Sequence, residues 1–264
     1  IPLLLEKSRD VVAQSQTGTG KTAAFGLPIL DNLDESAKHI QALILAPTRE
    51  LSLQVCQEIH ELKGQKPVRI VAVYGGDSIS KQTEQLKKGA HIVVATPGRL
   101  MDHVKRKNID LTRLNTLVLD EADEMLSAGF IEDIEWVLAQ ANQNRQVLLF
   151  SATISAEVLR LSKQYMNEAM VIRTKASDKQ DSLTEQFFIE LNHRDMLDAL
   201  CRIIDVQESF YGFVFCQTKR DVDQIYDQLM HRGFLAEAMH GDLSQFQRKT
   251  VLTKFRRKQC SVLV

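Results

Sequence analysis

The chain has 264 residues, 44% of them hydrophobic, which is room for one large α/β domain and part of a second, each with a core of its own. Its 33 basic and 34 acidic residues nearly cancel, so no whole-molecule charge selects a nucleic acid or a membrane, and any such surface has to be local. No apolar run approaches the ~18 residues of a membrane span and no secretory leader opens the chain, while Cys56, Cys201, Cys216 and Cys260 are too scattered for a C-x-x-C metal site or a disulfide framework. These features argue against export and membrane insertion and for a cytoplasmic protein with reduced thiols.

In chain order, Asp10-Val11-Val12-Ala13 is a short buried strand, and Lys21 to Leu30 carries helix formers and an apolar face. Between them Ser15-Gln16-Thr17-Gly18-Thr19-Gly20 leads into Lys21-Thr22. Strand, glycine loop and helix in that order make a nucleotide-phosphate cradle. Loop N–H groups point at phosphate oxygens, the helix adds the positive end of its dipole, Lys21 supplies a point charge, and Thr22 supplies a hydroxyl for Mg²⁺. Ser15 stands where the general G-x-x-x-x-G-K-[ST] pattern has glycine, so taken alone the stretch also fits a turn that uses glycine only for tightness.

Near-continuous apolar runs at Gln41 to Ala46, Val68 to Val73, His91 to Ala95, Thr116 to Asp120, Gln146 to Phe150 and Ala169 to Ile172 predict strands covered on both faces, hence a parallel sheet. Helical patterns at Arg49 to Leu62, Lys81 to Lys88, Ile131 to Ala141 and Ser155 to Met166 alternate with them. The expected fold is a doubly wound parallel-sheet α/β domain over 1–173, with ligands at the carboxyl ends of its strands. Residues 174–184 have linker chemistry. A second α/β unit follows over 185–264, with strands at Glu185 to Leu191, Gly212 to Cys216, Leu235 to Met239 and Ser261 to Val264, and helices at Arg194 to Asp205, Arg220 to Arg232 and Gln245 to Lys258. The chain opens at Ile1 without methionine and stops inside an apolar β-type run, so a fragment is expected.

Leu117-Val118-Leu119-Asp120-Glu121-Ala122-Asp123 sets carboxylates at the end of an apolar strand. There Asp120 would hold Mg²⁺, directly or through water, and Glu121 would orient or deprotonate an attacking water. The bland alternative is a helix whose first turn is acidic to suit its dipole. Pro47-Thr48-Arg49-Glu50 and Thr96-Pro97-Gly98-Arg99 each follow a strand and open a helix, a placement that suits either nucleic-acid phosphates or ordinary capping. Gly75-Gly76 permits close approach of another backbone.

Together with Ser151-Ala152-Thr153, Phe215-Cys216-Gln217-Thr218 and His240-Gly241-Asp242 leading to Gln245 and Arg248, these motifs resemble, in order, the DEAD-box ATP-dependent RNA helicases of superfamily 2. Asp120-Glu121-Ala122-Asp123 is that family's namesake, and its own A-x-x-G-x-G-K-T form accommodates Ser15. The wording around Asp123-Glu124-Met125-Leu126 and Gly129-Phe130 is most similar to bacterial members. The resemblance implies a P-loop (RecA-like) first domain and a truncated second RecA-like domain, with ATP and Mg²⁺ as cofactors. It implies catalytic roles for Lys21, Thr22, Asp120 and Glu121, with Ser15 to Thr22 and Asp120 binding the nucleotide and Thr22 and Asp120 the metal. Asp123, Ser151 and Thr153 would couple nucleotide state to unwinding. RNA would be held by Pro47, Thr48, Arg49, Gly75, Gly76, Thr96, Pro97, Gly98 and Arg99 in the first unit, and by Thr218, Gly241, Gln245 and Arg248 in the second. Arg248 reads equally as a solvated helix residue, and Ser151-Ala152-Thr153 equally as a cap.

Contacts to an RNA backbone carry little sequence preference and marked salt dependence, and the 2′-hydroxyl is the natural means of preferring RNA. The partner implied is single-stranded or short-duplex RNA bound by a monomeric chain without a membrane. The family's adenine-reading segment would precede Ile1 and its later arginine motif would follow Val264, and losing such an arginine can cost orders of magnitude in rate. Two rivals remain: an ATP-gated RNA clamp or annealing factor that does not turn over, and a DNA-directed motor of the same superfamily.

Overall fold

Runs of Val, Ile, Leu and Ala without polar interruption have to be covered on both faces, and the first part of the chain does this by alternating strands with helices. The computed structural model describes residues 1–6, 9–16, 18–173 and 185–264. It divides into two compact units, Ile1–Gln180 and Asp181–Val264. The expected linker at 174–184 and Thr17 of the glycine loop lie outside the described residues.

The first unit runs α1 (Pro2–Leu5), β1 (Val11–Gln14), α2 (Lys21–Asp31), β2 (Ala42–Leu45), α3 (Arg49–Leu62), β3 (Ile70–Val73), α4 (Ile79–Lys87), β4 (Ile92–Ala95), α5 (Pro97–Lys105), β5 (Thr116–Leu119), α6 (Ala122–Ser127), α7 (Ile131–Gln140), β6 (Gln146–Ser151), α8 (Ala156–Tyr165) and β7 (Met170–Arg173). The strands form one sheet in the order β3-β4-β2-β5-β6-β1-β7, with every pairing parallel. Successive strand residues point to opposite faces, which splits the apolar runs between two cores. Leu43, Leu45, Val93, Leu117, Leu119, Val147 and Leu149 join the core shared with α5 to α8. Ala42, Ile44, Ile92, Val94, Val118, Leu148 and Phe150 join the core shared with α2 and α3.

Register aligns the carboxyl ends of these strands. Leu45 is level with Ala95 and Leu119, Val73 with Ala95, Leu119 with Leu149, and Gln14 with Ser151. At the opposite rim Asp10 is buried, and its two carboxyl oxygens accept from the N–H groups of Val147 and Asn167, both at 2.7 Å. Burial pushes its pKa up against the opposing pull of those bonds and of Arg145. Asp10 thereby ties β1 to β6 and to the turn before β7.

The second unit contains α9 (Met196–Val206), β8 (Gly212–Phe213), α10 (Lys219–His231), β9 (Ala236–Glu237), α11 (Gln245–Arg256) and β10 (Val262–Leu263). Its sheet is parallel in the order β8-β10-β9, covered by Cys201, Ile204, Val222 and Leu229 on one side and by Val251 and Phe255 on the other. The strand expected at Glu185 to Leu191 does not form. Phe187 and Phe188 are 86% and 88% exposed, because β propensity supplies no backbone partner and no strand in the described residues lies beside this segment. The four cysteines are free thiols, and among the described residues no helix is long and apolar enough to cross a membrane.

Phe25 on α2 is fully buried, with its ring 5.2 Å from that of Phe150 on β6. Phe25→Ala is expected to destabilise the first unit by about 3–5 kcal/mol. The single tryptophan, Trp136 on α7, reports this unit, so urea unfolding followed by its fluorescence measures the loss, and an unchanged midpoint would contradict the packing described.

Candidate functional site

The aligned strand ends place the motif residues along one rim, and the loop after β1 is built to approach a ligand. Its Gly18 and Gly20 have φ values of 76° and 82°, in the left-handed region that penalises a Cβ, and a Cβ at either would meet nothing within 4 Å. Ser15 continues the β1–β6 ladder by donating its N–H to Ser151 O at 3.0 Å, and Thr19 Oγ1 donates to Gln16 O at 2.8 Å. Gly20 caps α2, so Lys21 and Thr22 open a helix with unpaired N–H groups aimed out of the rim. Lys21 Nζ is buried and has no hydrogen-bond partner among the described residues. An ammonium held this way is costly unless a ligand anion meets it.

Asp120, one residue past β5, is 3% exposed. Burial pushes its carboxyl up to about 6, against the opposing pull of the nearby Lys21 charge and with a further push from Glu121. Asp120 Oδ1 accepts the Glu121 N–H at 3.1 Å. Glu121 itself sits at φ 51°, ψ 52°, a left-handed conformation that costs a non-glycine residue about 1–3 kcal/mol. This sharp turn starts α6 directly after the strand. A hydroxyl from Thr22 and one buried carboxylate suit Mg²⁺, which takes few protein oxygens and completes its octahedron with phosphates and water. No group of three or more His, Cys, Asp or Glu among the described residues competes as a metal cage.

Asp123 and the end of β6 form a closed network. Asp123 Oδ2 accepts from the N–H and the hydroxyl of Thr153, both at 2.8 Å, while Asp123 N donates to Ser151 Oγ at 3.3 Å and Ser151 Oγ donates to Thr153 O at 2.6 Å. Partial burial alone would raise the Asp123 carboxyl, but its hydrogen bonds, those from the Thr153 hydroxyl and N–H among them, outweigh it and hold it below the usual range. These residues therefore bridge the acidic turn and the loop after β6; the simple cap of α8 is Ser155.

Farther along the rim, Thr48 caps α3 by accepting the Leu51 N–H at 3.2 Å, and the Arg49 guanidinium lies 5.0 Å from the Tyr74 ring centroid beside Gly75. Pro97 is buried at the start of α5, with Thr96 as its N-cap and exposed Gly98 after it. Arg99 donates to Asp77 O at 3.0 Å and to Gln82 Oε1 at 3.2 Å. Gln82 and His103 were missed by the sequence reading. Buried Gln82 donates to Tyr74 O at 2.9 Å, leaving its Oε1 to accept from Arg99 and from His103 Nε2 at 3.2 Å. Asn108 then meets His103 Nδ1 at 3.1 Å, and burial lowers the His103 pKa, so the ring is neutral with its proton on Nε2. This network fixes Arg99 and the Gly75-Gly76 turn, where Gly76 has φ 80°, onto one surface. The available signal was a glutamine in the apolar stripe of α4, four residues before Leu86.

In the second unit Thr218 caps α10 in a reciprocal box with Asp221, and Lys219 pairs with Asp242. A Cβ on Gly241 would come within 3.2 Å of Lys219 Cε. Arg248 Nη2 donates to Gly241 O at 3.1 Å, so Arg248 braces the His240-Gly241 loop and is not a freely solvated helix residue. Gln245 opens the same helix, and Lys219, next to Thr218, and Arg248 both meet the Gly241 loop.

The DEAD/DEAH box helicase model matches residues 1–161, with a helicase conserved C-terminal domain over 195–264. The chain belongs to the DEAD/DEAH box helicases. Among its relatives in this family, the ATP-dependent RNA helicase CshA of Listeria monocytogenes is 48% identical over the whole chain, and the DEAD-box ATP-dependent RNA helicase CshA of Bacillus licheniformis is 45% identical. The chain spans about half of these DEAD-box relatives, 51% and 54% of their lengths. A DEAD-box protein from Methanococcus jannaschii matches 99% of the chain and 70% of its own, at 44% identity and a TM-score of 0.64. Saccharomyces cerevisiae Dbp5, solved bound to RNA and ADP BeF3, matches 99% of the chain and 67% of its own, at 29% identity and a TM-score of 0.86. The expected pair of RecA-like domains, the second short, is the observed fold.

Because the Asp120 pKa is higher folded than unfolded, the folded state holds an extra proton between about pH 4 and 6, and stability is lost as pH rises through that window. Asp120→Asn removes this cost. Without nucleotide it is expected to raise stability at pH 8 by on the order of 2–3 kcal/mol and to change it little at pH 4. Urea unfolding at the two pH values tests this, and an equal effect at both would contradict a buried carboxylate with a raised pKa.

Proposed function

We propose that the complete protein is an RNA-stimulated ATPase that separates short RNA duplexes or remodels RNA–protein complexes in the cytoplasm. The observation that carries this reading is the buried, unpartnered Lys21 amine beside the buried Asp120 carboxylate, at the mouth of a glycine loop that opens a helix. Opposite charges kept apart at a helix N-terminus fit a triphosphate with its metal. The names of the CshA relatives and the RNA-bound and nucleotide-bound state of Dbp5 support the same reading.

In this account Ser15 to Gly20 wrap the phosphates, Lys21 balances their charge, and Thr22 and Asp120 hold Mg²⁺. The metal would neutralise charge on the terminal phosphate oxygens. Glu121, set by its left-handed turn beside Asp120, orients or deprotonates the attacking water. Asp123, Ser151 and Thr153 carry the change at the phosphate to the loop after β6. Thr48, Arg49, Gly75, Gly76, Gly98 and Arg99 in the first unit, with Thr218, Gly241 and Gln245 in the second, hold the backbone of one RNA strand. Binding of ATP and RNA then bends that strand from its complement, and hydrolysis releases it. Arg248 acts through the loop it braces. The four free thiols accord with a cytoplasmic location, and we take the chain to act as a monomer.

In the complete protein, Lys21→Ala and Glu121→Gln are each expected to lower RNA-stimulated ATP turnover by at least about 100-fold. Glu121→Gln should retain ATP-dependent RNA binding. Unchanged turnover in either variant would sink the assignment, and a wild type that binds RNA in response to ATP without hydrolysis would instead be a clamp.

A further inference from the structure

Charges balance over the whole chain, but residues 245–259 hold six cations, Arg248, Lys249, Lys254, Arg256, Arg257 and Lys258, and no acid. Helical spacing brings Phe246, Lys249, Thr250, Thr253 and Arg257 onto one stripe of α11 and its C-terminal end. They line an open groove of about 450 Å³. The opposite face of the helix holds the core through Val251 and Phe255, and Phe246 takes no part in it, at 80% exposed. Thr250 and Thr253 donate their hydroxyls back to the carbonyls of Phe246 and Lys249, and Lys254 is engaged with Glu237. The chemistry left to a ligand is an aromatic face flanked by the exposed positive charges of Lys249 and Arg257.

From this juxtaposition we infer a second RNA contact, beyond the residues assigned above. The α11 groove takes the single-stranded flank that continues from Gln245, stacking a base on Phe246 and seating phosphates against Lys249 and Arg257. An aromatic platform among cations fits a nucleic-acid strand, since every base has a π-face and every linkage a negative charge. Continuity supports the same occupant, because Phe246 directly follows Gln245. The inference rests on the RNA reading of the second unit, so its test separates the two.

In the complete protein with ATP, affinities would be measured for oligouridylate RNAs of about 6 and about 14 nucleotides, sizes that bracket a short and an extended binding site. Phe246→Ala and Lys249→Glu are each expected to weaken binding of the longer RNA roughly tenfold and to leave the shorter one unchanged. Lys249→Glu should also flatten the salt dependence for the longer RNA. Wild-type affinity for both lengths in these variants, while Gln245→Ala weakens both, would overturn the second contact alone. Wild-type affinity in all three variants would overturn the RNA reading of this unit and the contact with it. Binding of a glutamate-rich peptide lost in Phe246→Ala, with RNA binding intact, would assign the groove to an acidic protein segment and overturn the proposal.

Discussion

Parallel pairing of β1 with β6, and of β6 with β5, is the constraint on which the site depends. In that register Gln14 is level with Ser151, and Leu119 with Leu149, so the loop after β1, the acidic turn after β5 and the loop after β6 leave the sheet side by side. The same rule extends through β2, β4 and β3 to Pro47, Thr96 and Tyr74. β1, β2, β4 and β5 each hand over to a helix within a few residues, and the first-turn N–H groups that side-chain caps such as Thr48 do not take are donors suited to anions. Asp10 at the other rim locks β1 to β6 from below, which gives one buried carboxylate a structural duty at the end of the sheet opposite Asp120.

The site departs from what stability alone favours. Lys21 buries an amine without a partner, Asp120 buries a carboxylate whose pKa rises to about 6, and Glu121 adopts a conformation that glycine would hold more cheaply. These three costs adjoin one another where β1 and β5 end, whereas the other left-handed residues of this unit, Lys107 and Glu168, and the unpartnered Arg145 Nε lie apart from the glycine loop and the acidic turn. Strain and orphaned charge concentrated at one strand end are what a preorganised ligand site requires. The Asp123, Ser151 and Thr153 bonds attach the acidic turn to the next loop.

The strands of the first unit were legible because each is an unbroken apolar run, and the motif residues were placeable because each follows such a run. Met170–Arg173 differs from the expected strand by one residue at each end. In the second unit the expected strands shrink to two paired residues apiece, and Glu185 to Leu191 pairs with nothing described, since sequence pattern specifies propensity and not a partner. The geometry inside the site was also hidden. No local pattern shows that Glu121 turns left-handed or that Lys21 Nζ is buried, because both follow from how β1, β5 and α2 meet. Gln82 and His103 escaped notice because a polar residue in an amphipathic stripe is read as tolerated, whereas here it anchors Arg99.

The most direct test of this account is a double-mutant cycle on Mg²⁺·ATP affinity, comparing wild type, Lys21→Ala, Asp120→Asn and the pair by calorimetry. If both side chains grip one phosphate–metal unit, each single variant loses roughly 1–3 kcal/mol and the double variant is little worse than the weaker single, a coupling of about the size of one single loss. Losses that simply add, or singles that bind as well as wild type, would show that the two buried charges do not serve a common ligand.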